Sequence, residues 1–210
     1  MTDFDSQAAV VGGSLVAFAG HLPASQREDI YMVTAYAQQA TRGAVRDVLV
    51  GDWFDYYVNQ FRFFGWDIQK PPQLKRQAAD AMSQQAMLQI KSELGKDLSD
   101  SLSLALDAMR ADQQAIDLFD KTSCNGNQGR FQMIPCRAAG PDHVLLGVYH
   151  RGFTVTQGAS GFLWGKTEVR GSIERMVTIR FNTSLYDEHR EKVKNAVLNS
   201  SLKYLKSLHI

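Results

Sequence analysis

Residues 53–64 read WFDYYVNQFRFF, with seven aromatic side chains in twelve positions. At 100° per residue, a helix spreads Trp53, Phe54, Tyr56, Tyr57, Val58, Phe61, Phe63 and Phe64 over an arc of roughly 220°, about twice the stripe a surface helix normally buries. Only Asp55, Asn59 and Arg62 form a wet side. Such a helix must be enclosed on most of its circumference by the rest of the chain, a second copy or lipid. Asp52 is placed to cap its start and Gly65 to end it.

More helical signals surround this segment. Ser25-Gln26-Arg27-Glu28 has the form of a capping box, and Ile30, Val33, Ala37 and Ala40 follow at helical spacing up to Gly43. Beyond the link 65–72, closed by Pro71-Pro72, Ala79, Met82, Ala86, Ile90 and Leu94 predict a long helix over 73–94. Leu102, Leu106, Met109, Ile116 and Phe119 predict another from Asp97 or Ser99 to Phe119. The pattern changes at the turn-rich stretch Ser123–Gly129, after which strands are expected over 130–134, 143–151, 153–156 and 167–181. In the last, Val169, Ile173, Val177, Ile179 and Phe181 alternate with Glu168, Arg170, Ser172, Glu174, Thr178 and Arg180. That alternation predicts a sheet with one buried and one wet face, with a bulge near Glu174-Arg175. A final helix is expected over 184–208.

The chain therefore reads as α+β: an N-terminal helical half of four to five helices (1–122), packed with a C-terminal four-stranded, mostly antiparallel sheet and a closing helix (123–210). The two parts are read as one cooperative unit. They differ in charge. Residues 1–120 hold 10 basic and 16 acidic residues, a net of −6, and residues 121–210 hold 13 and 6, a net of +7. Segments so charged attract each other, join copies head to tail, or present a basic face to an acidic partner.

The charge-free run Ala8–Gly20 has the length of a signal-peptide core, but Asp3 and Asp5 stand where a signal carries positive charge. It reads as retained, either buried in the core or docking on lipid or on a neighbouring subunit. No apolar run is long enough for a membrane-spanning helix. Localisation stays open between the cytoplasm and export by a signal-independent route.

Motifs for chemistry are sparse. No two of His21, His143, His150, His189 and His209 form a helical i, i+4 pair, and Cys124 and Cys136 lack paired zinc-ligand spacing. Neither metal nor cofactor is predicted. Gly158-Ala159-Ser160-Gly161 is not a nucleophile elbow, because its leading glycine is one residue too close. Asn125–Gly129 follows a helix and enters a strand, the reverse of a phosphate loop. For an enzyme of unfamiliar type the scattered candidates are Cys124, Cys136, Asp142, His143, His150 and Ser160. The mixed charge pattern and a pI of about 7.8 argue against a dedicated nucleic-acid domain.

The sequence is read first as a non-catalytic interaction or self-assembling protein. Trp53, Phe54, Tyr57, Phe61, Phe64, Trp66, Arg170 and Arg180 are its contact candidates, and a protein partner or a second copy its expected ligand. A secreted, membrane-active, toxin-like effector using residues 8–20 is the alternative.

Overall fold

The apolar N-terminal run folds as a tight hairpin, β1 (Ala8–Val11) and β2 (Ser14–Ala19), with Val11 paired to Ser14 across Gly12-Gly13. Gly12 has φ +56°, and a Cβ there would strike the Gln38 side chain, so only glycine fits this turn. The computed structural model of the chain describes residues 7–47, 51–77, 82–155, 161–164, 169–200 and 204–210, and the side chains of 69–77, 169, 170 and 200 lie outside that description.

Among the described residues there are six helices and an eight-stranded mixed sheet. The helices are α1 (Ala24–Arg46), α2 (Trp53–Phe63), α3 (Met82–Leu94), α4 (Lys96–Ala111), α5 (Gln113–Ser123) and α6 (Thr183–Ser200). The remaining strands are β3 (Asp67–Gln77), β4 (Cys124–Asn125), β5 (Gln128–Ala138), β6 (His143–Val155), β7 (Val169–Asn182) and β8 (Leu205–Leu208). The strand order is β3-β7-β6-β5-β2-β1-β8, with β4 paired to β5. β2 and β5 run parallel, and the other pairs are antiparallel.

This corrects the expected four-stranded sheet and separate helical half. Strands from the N-terminus, from 67–77 and from the last residues join the same sheet. Residues 73–77, expected to begin a long helix, pair with β7. The helix expected to run to Phe119 breaks at Asp112, whose carboxylate accepts from the N–H groups of Gln114 and Ala115 and starts α5. Residues 205–208, read as the end of the last helix, form β8 against β1. The Ser25 capping box is not formed either, because Pro23 occupies the N-cap.

The expected wet sheet face is also buried. Val177, Ile179 and Phe181 join a core with α1, α2 and α6 on one face of the sheet. On the other face Met176 joins Tyr149, Phe131 and residues of α3, α4 and α5. Glu174 and Thr178, read as wet, are 1% and 8% exposed, whereas Ile173, read as core, is 45% exposed. No register shift falls at Glu174-Arg175. The shifts lie at Thr154/Val155 and along β3. Periodicity separates two faces but does not reveal that helices cover both, and a doubly covered sheet can bury polar residues once they are paired. Arg151 and Glu174 are such a pair, opposite each other on β6 and β7, 3.1 Å apart and essentially without solvent.

The aromatic helix is enclosed by its own chain. Phe54, Tyr57, Phe61, Phe64 and Trp66 are buried, Trp53 is half-buried, and Phe63 alone among its rings is largely exposed. The opposite charges of the two segments also meet within the chain. Arg175 reaches Asp52 at 2.6 Å and Asp55 at 3.1 Å. Arg190 holds Asp29 with two bonds of 2.8 and 2.9 Å. Lys194 meets Glu28 at 2.9 Å and Lys206 meets Asp112 at 3.3 Å.

Candidate anion-binding cleft

Beside the end of α1 and the start of α2 two lobes open, of about 590 and 530 Å³. Both share Trp53, Gln128 and Arg130 in their walls. The first lobe lies between the last turns of α1, the end of α5 and the start of β5. It is lined by Arg42, Arg46, Lys121 and Arg130, with no carboxylate among its lining residues.

Each cation is placed by an element already described. Arg42 and Arg46 lie one turn apart on α1 and so share a face. Arg42 donates to the Tyr204 hydroxyl and the Thr122 carbonyl oxygen, and its guanidinium lies 5.3 Å from the Tyr204 ring centre. Arg46 reaches Asp47 at 3.0 Å, an exposed pair that solvent weakens. Arg130, on the cleft-facing side of β5, is half-buried and lies 5.4 Å from the Trp53 ring centre. It has no ion pair among the described residues. Burial, and then the like charge of Arg42, lower its pKa. Ser123 adds to the same wall a buried hydroxyl that has no partner among the described residues.

A buried polar chain props the cleft from beneath. Gln38 Oε1 accepts from the Gly13 N–H at 3.1 Å, and its amide donates to Val11 O at 2.9 Å and Ser14 Oγ at 2.6 Å. Ser14 Oγ donates to Gln132 Oε1 at 3.0 Å, and the Gln132 amide meets His150 Nδ1 at 2.9 Å. With that amide donating, Nδ1 accepts and the imidazole is neutral. His150 stacks on both Trp53 (5.2 Å, 13°) and Phe54 (4.8 Å, 16°). Burial foremost, then Arg130 and Arg175, push its pKa down to about 3.

Beyond the shared Arg130, the charges of the second lobe are paired. Its cation Arg175 is matched by Asp52, which also caps α2 by accepting from the Asp55 N–H at 2.9 Å. The hydrogen bonds and the guanidinium together hold the Asp52 carboxyl below its usual range against the opposing effect of burial.

Of the residues named from sequence, Trp53, Phe54 and His150 meet here. Tyr57, Phe61, Phe64 and Trp66 belong to the core. Arg180 is exposed on β7. Arg170 is also on β7, and its side chain lies outside the described residues, as does Ser160 altogether. Both thiols are free. Cys136 is buried in the core, and Cys124 lines the first lobe with burial pushing its pKa up to about 11. His143 opens β6 opposite Asn182, and Asp142 lies in the turn before it. Sequence reasoning did not find Arg42, Arg46, Lys121 or Arg130. The i, i+4 spacing of the first two was readable, but their meeting with Arg130 depends on how α1 lies over β5.

Among the described residues, no group of three or more His, Cys, Asp or Glu could hold a metal ion, and no helix is long and apolar enough to cross a membrane. No protein-family model matches the sequence, and no curated protein does. Among solved structures, a delta-endotoxin is similar over 81% of this chain and 83% of its own, at 13% identity and a TM-score of 0.48. A structure of the Evf virulence factor is similar over 97% of this chain and 94% of its own, at 9% identity and a TM-score of 0.39. At these scores the likeness is too loose to carry a function from either protein to this one.

Proposed function

We propose that this chain is a non-catalytic binding protein whose basic lobe takes a phosphate or polyphosphate group. The observation that carries the reading is Arg130, a half-buried guanidinium with no ion pair among the described residues and a second arginine acting on it. Holding that charge in a partly dry wall is unfavourable without an anion. Guanidinium forks match phosphate oxygens in shape as well as charge. The neighbouring chemistry favours binding over catalysis. The Cys124 thiol stays protonated near neutral pH and is a poor nucleophile. His150 is a stacked, neutral ring with Nδ1 already engaged, so it offers little as a proton carrier.

Association of copies is not needed to cover the aromatic helix or to neutralise the two segments, since both are satisfied within one chain. A membrane-active role for residues 8–20 requires the hairpin to leave its place between β5 and β8, where residues 8–17, apart from the Gly12-Gly13 turn, are fully buried.

Calorimetric titration with inorganic pyrophosphate tests the proposal. The wild type should bind, and affinity should fall as salt rises from about 50 to 300 mM. Arg130→Gln should weaken binding by about tenfold or more, the worth of one charge-assisted bond. Absence of binding at millimolar pyrophosphate, or equal affinity in Arg130→Gln, would refute it.

A further inference from the structure

The second lobe carries its own chemical information. Its floor is sheet backbone laid out by cross-strand register. Arg130 of β5 stands opposite Gly152 of β6, and Gly152 opposite Ile173 of β7. In the next row Thr154 faces Gly171. Gly152 thus leaves a gap in side-chain height between a guanidinium and an isoleucine. A Cβ built there would meet nothing closer than His150 Nε2 at 3.8 Å, and one at Gly171 would meet nothing within 4 Å. Trp53 walls this floor, and Ile173, at 45% exposure, borders it.

The two lobes also differ in charge. Arg130 borders both; beyond it, the first has Arg42, Arg46 and Lys121 with no carboxylate among its lining residues, whereas in the second Arg175 is matched by Asp52 and Asp55. A ligand whose anionic end takes Arg130 and Arg42 leaves in the second lobe only the paired charges of Arg175 and Asp52, which an uncharged end suits. The gaps left by Gly152 and Gly171, an indole wall and a volume of about 530 Å³ suit a plate more than a flexible tail.

Resting on the anion-binding reading above, we propose that the second lobe seats a flat aromatic ring, so that the ligand class is an aryl or heteroaryl phosphate. The phosphate lies against Arg130 and Arg42, and the ring lies over Gly152 beside Trp53. Ring contacts add to binding energy, and about 1.4 kcal/mol corresponds to a tenfold change in affinity.

Titration of the full chain with 1-naphthyl phosphate, n-octyl phosphate and inorganic phosphate tests this inference. The expected result is that naphthyl phosphate binds about tenfold tighter than either of the others. Gly152→Val, which places a branched side chain in the gap, should bring the ratio of naphthyl to inorganic phosphate affinity close to one. Gly171→Leu, in the adjacent row, serves if the first variant does not fold. Octyl phosphate binding as tightly as naphthyl phosphate overturns the aromatic seat in favour of a merely apolar one. Inorganic phosphate binding as tightly as naphthyl phosphate, or an unchanged ratio in the folded variant, overturns the second lobe as a subsite. If none of the phosphates binds, the anion-binding reading itself has failed.

Discussion

Replacing Gln38 by leucine tests whether the buried polar chain holds α1 onto the hairpin and so sets the cleft. The side chain is 2% exposed and makes three short bonds of 3.1, 2.9 and 2.6 Å, to Gly13 N, Val11 O and Ser14 Oγ, and a long one of 3.4 Å to Gln132 Oε1. Leucine keeps much of the volume but removes both polar ends. The Gly13 N–H is then left unpaired in the interior, at a cost of about 1–3 kcal/mol, and each of the other two lost bonds adds about 0.5–1.5 kcal/mol. Some cost is recovered because leucine is itself apolar, so the net expectation is about 3 kcal/mol. For a chain of 210 residues, at about 2–4 °C per kcal/mol, Tm should fall by about 6–12 °C. Urea unfolding followed by tryptophan fluorescence gives the same difference as a shift in midpoint at constant slope. Because Gln38 also lines the basic lobe, pyrophosphate affinity should fall in parallel. A loss of stability below 1 kcal/mol would refute the structural role of the chain Gln38–Ser14–Gln132.

Two further outcomes follow from the buried ionisable groups. Arg151→Met strands Glu174, 1% exposed, and should cost about 3–5 kcal/mol by urea denaturation. The double variant Arg151→Met/Glu174→Leu should recover most of that loss, and a double variant as unstable as the single one would contradict the argument. His150 has its folded pKa lowered to about 3, against about 6.5 when unfolded, so the unfolded chain binds the extra proton between those values. Its contribution to stability is complete above pH 6.5 and is lost as pH falls through that window, by up to about 1.4 kcal/mol per pH unit. His150→Phe should flatten the fall between pH 6.5 and 5, and an unchanged slope would count against the buried neutral ring.

Individual elements were legible where the information is local. Asp52 caps α2 as its position predicted, because a carboxylate at the N-cap needs only the amides of the next turn. The outward break of Arg175 in an apolar register was visible too, but its cause was not. It is no bulge but an ion pair reaching Asp52 and Asp55, more than a hundred residues away in sequence. The aromatic arc of 53–64 required enclosure, and the identity of the cover depended on α1, α6 and the sheet closing around it. Residues 205–208 look like the last turn of a helix until β1 offers an open edge, and 73–77 look helical until β7 does.

The cleft lies further from the sequence than any of these. Its cations come from α1, α5 and β5, and its floor exists because register sets Gly152 beside Arg130. Spacing along a chain records which side chains share one helix or one strand. Which elements become neighbours, and which charges thereby find or lack a partner, is decided when distant segments compete for the same buried surface.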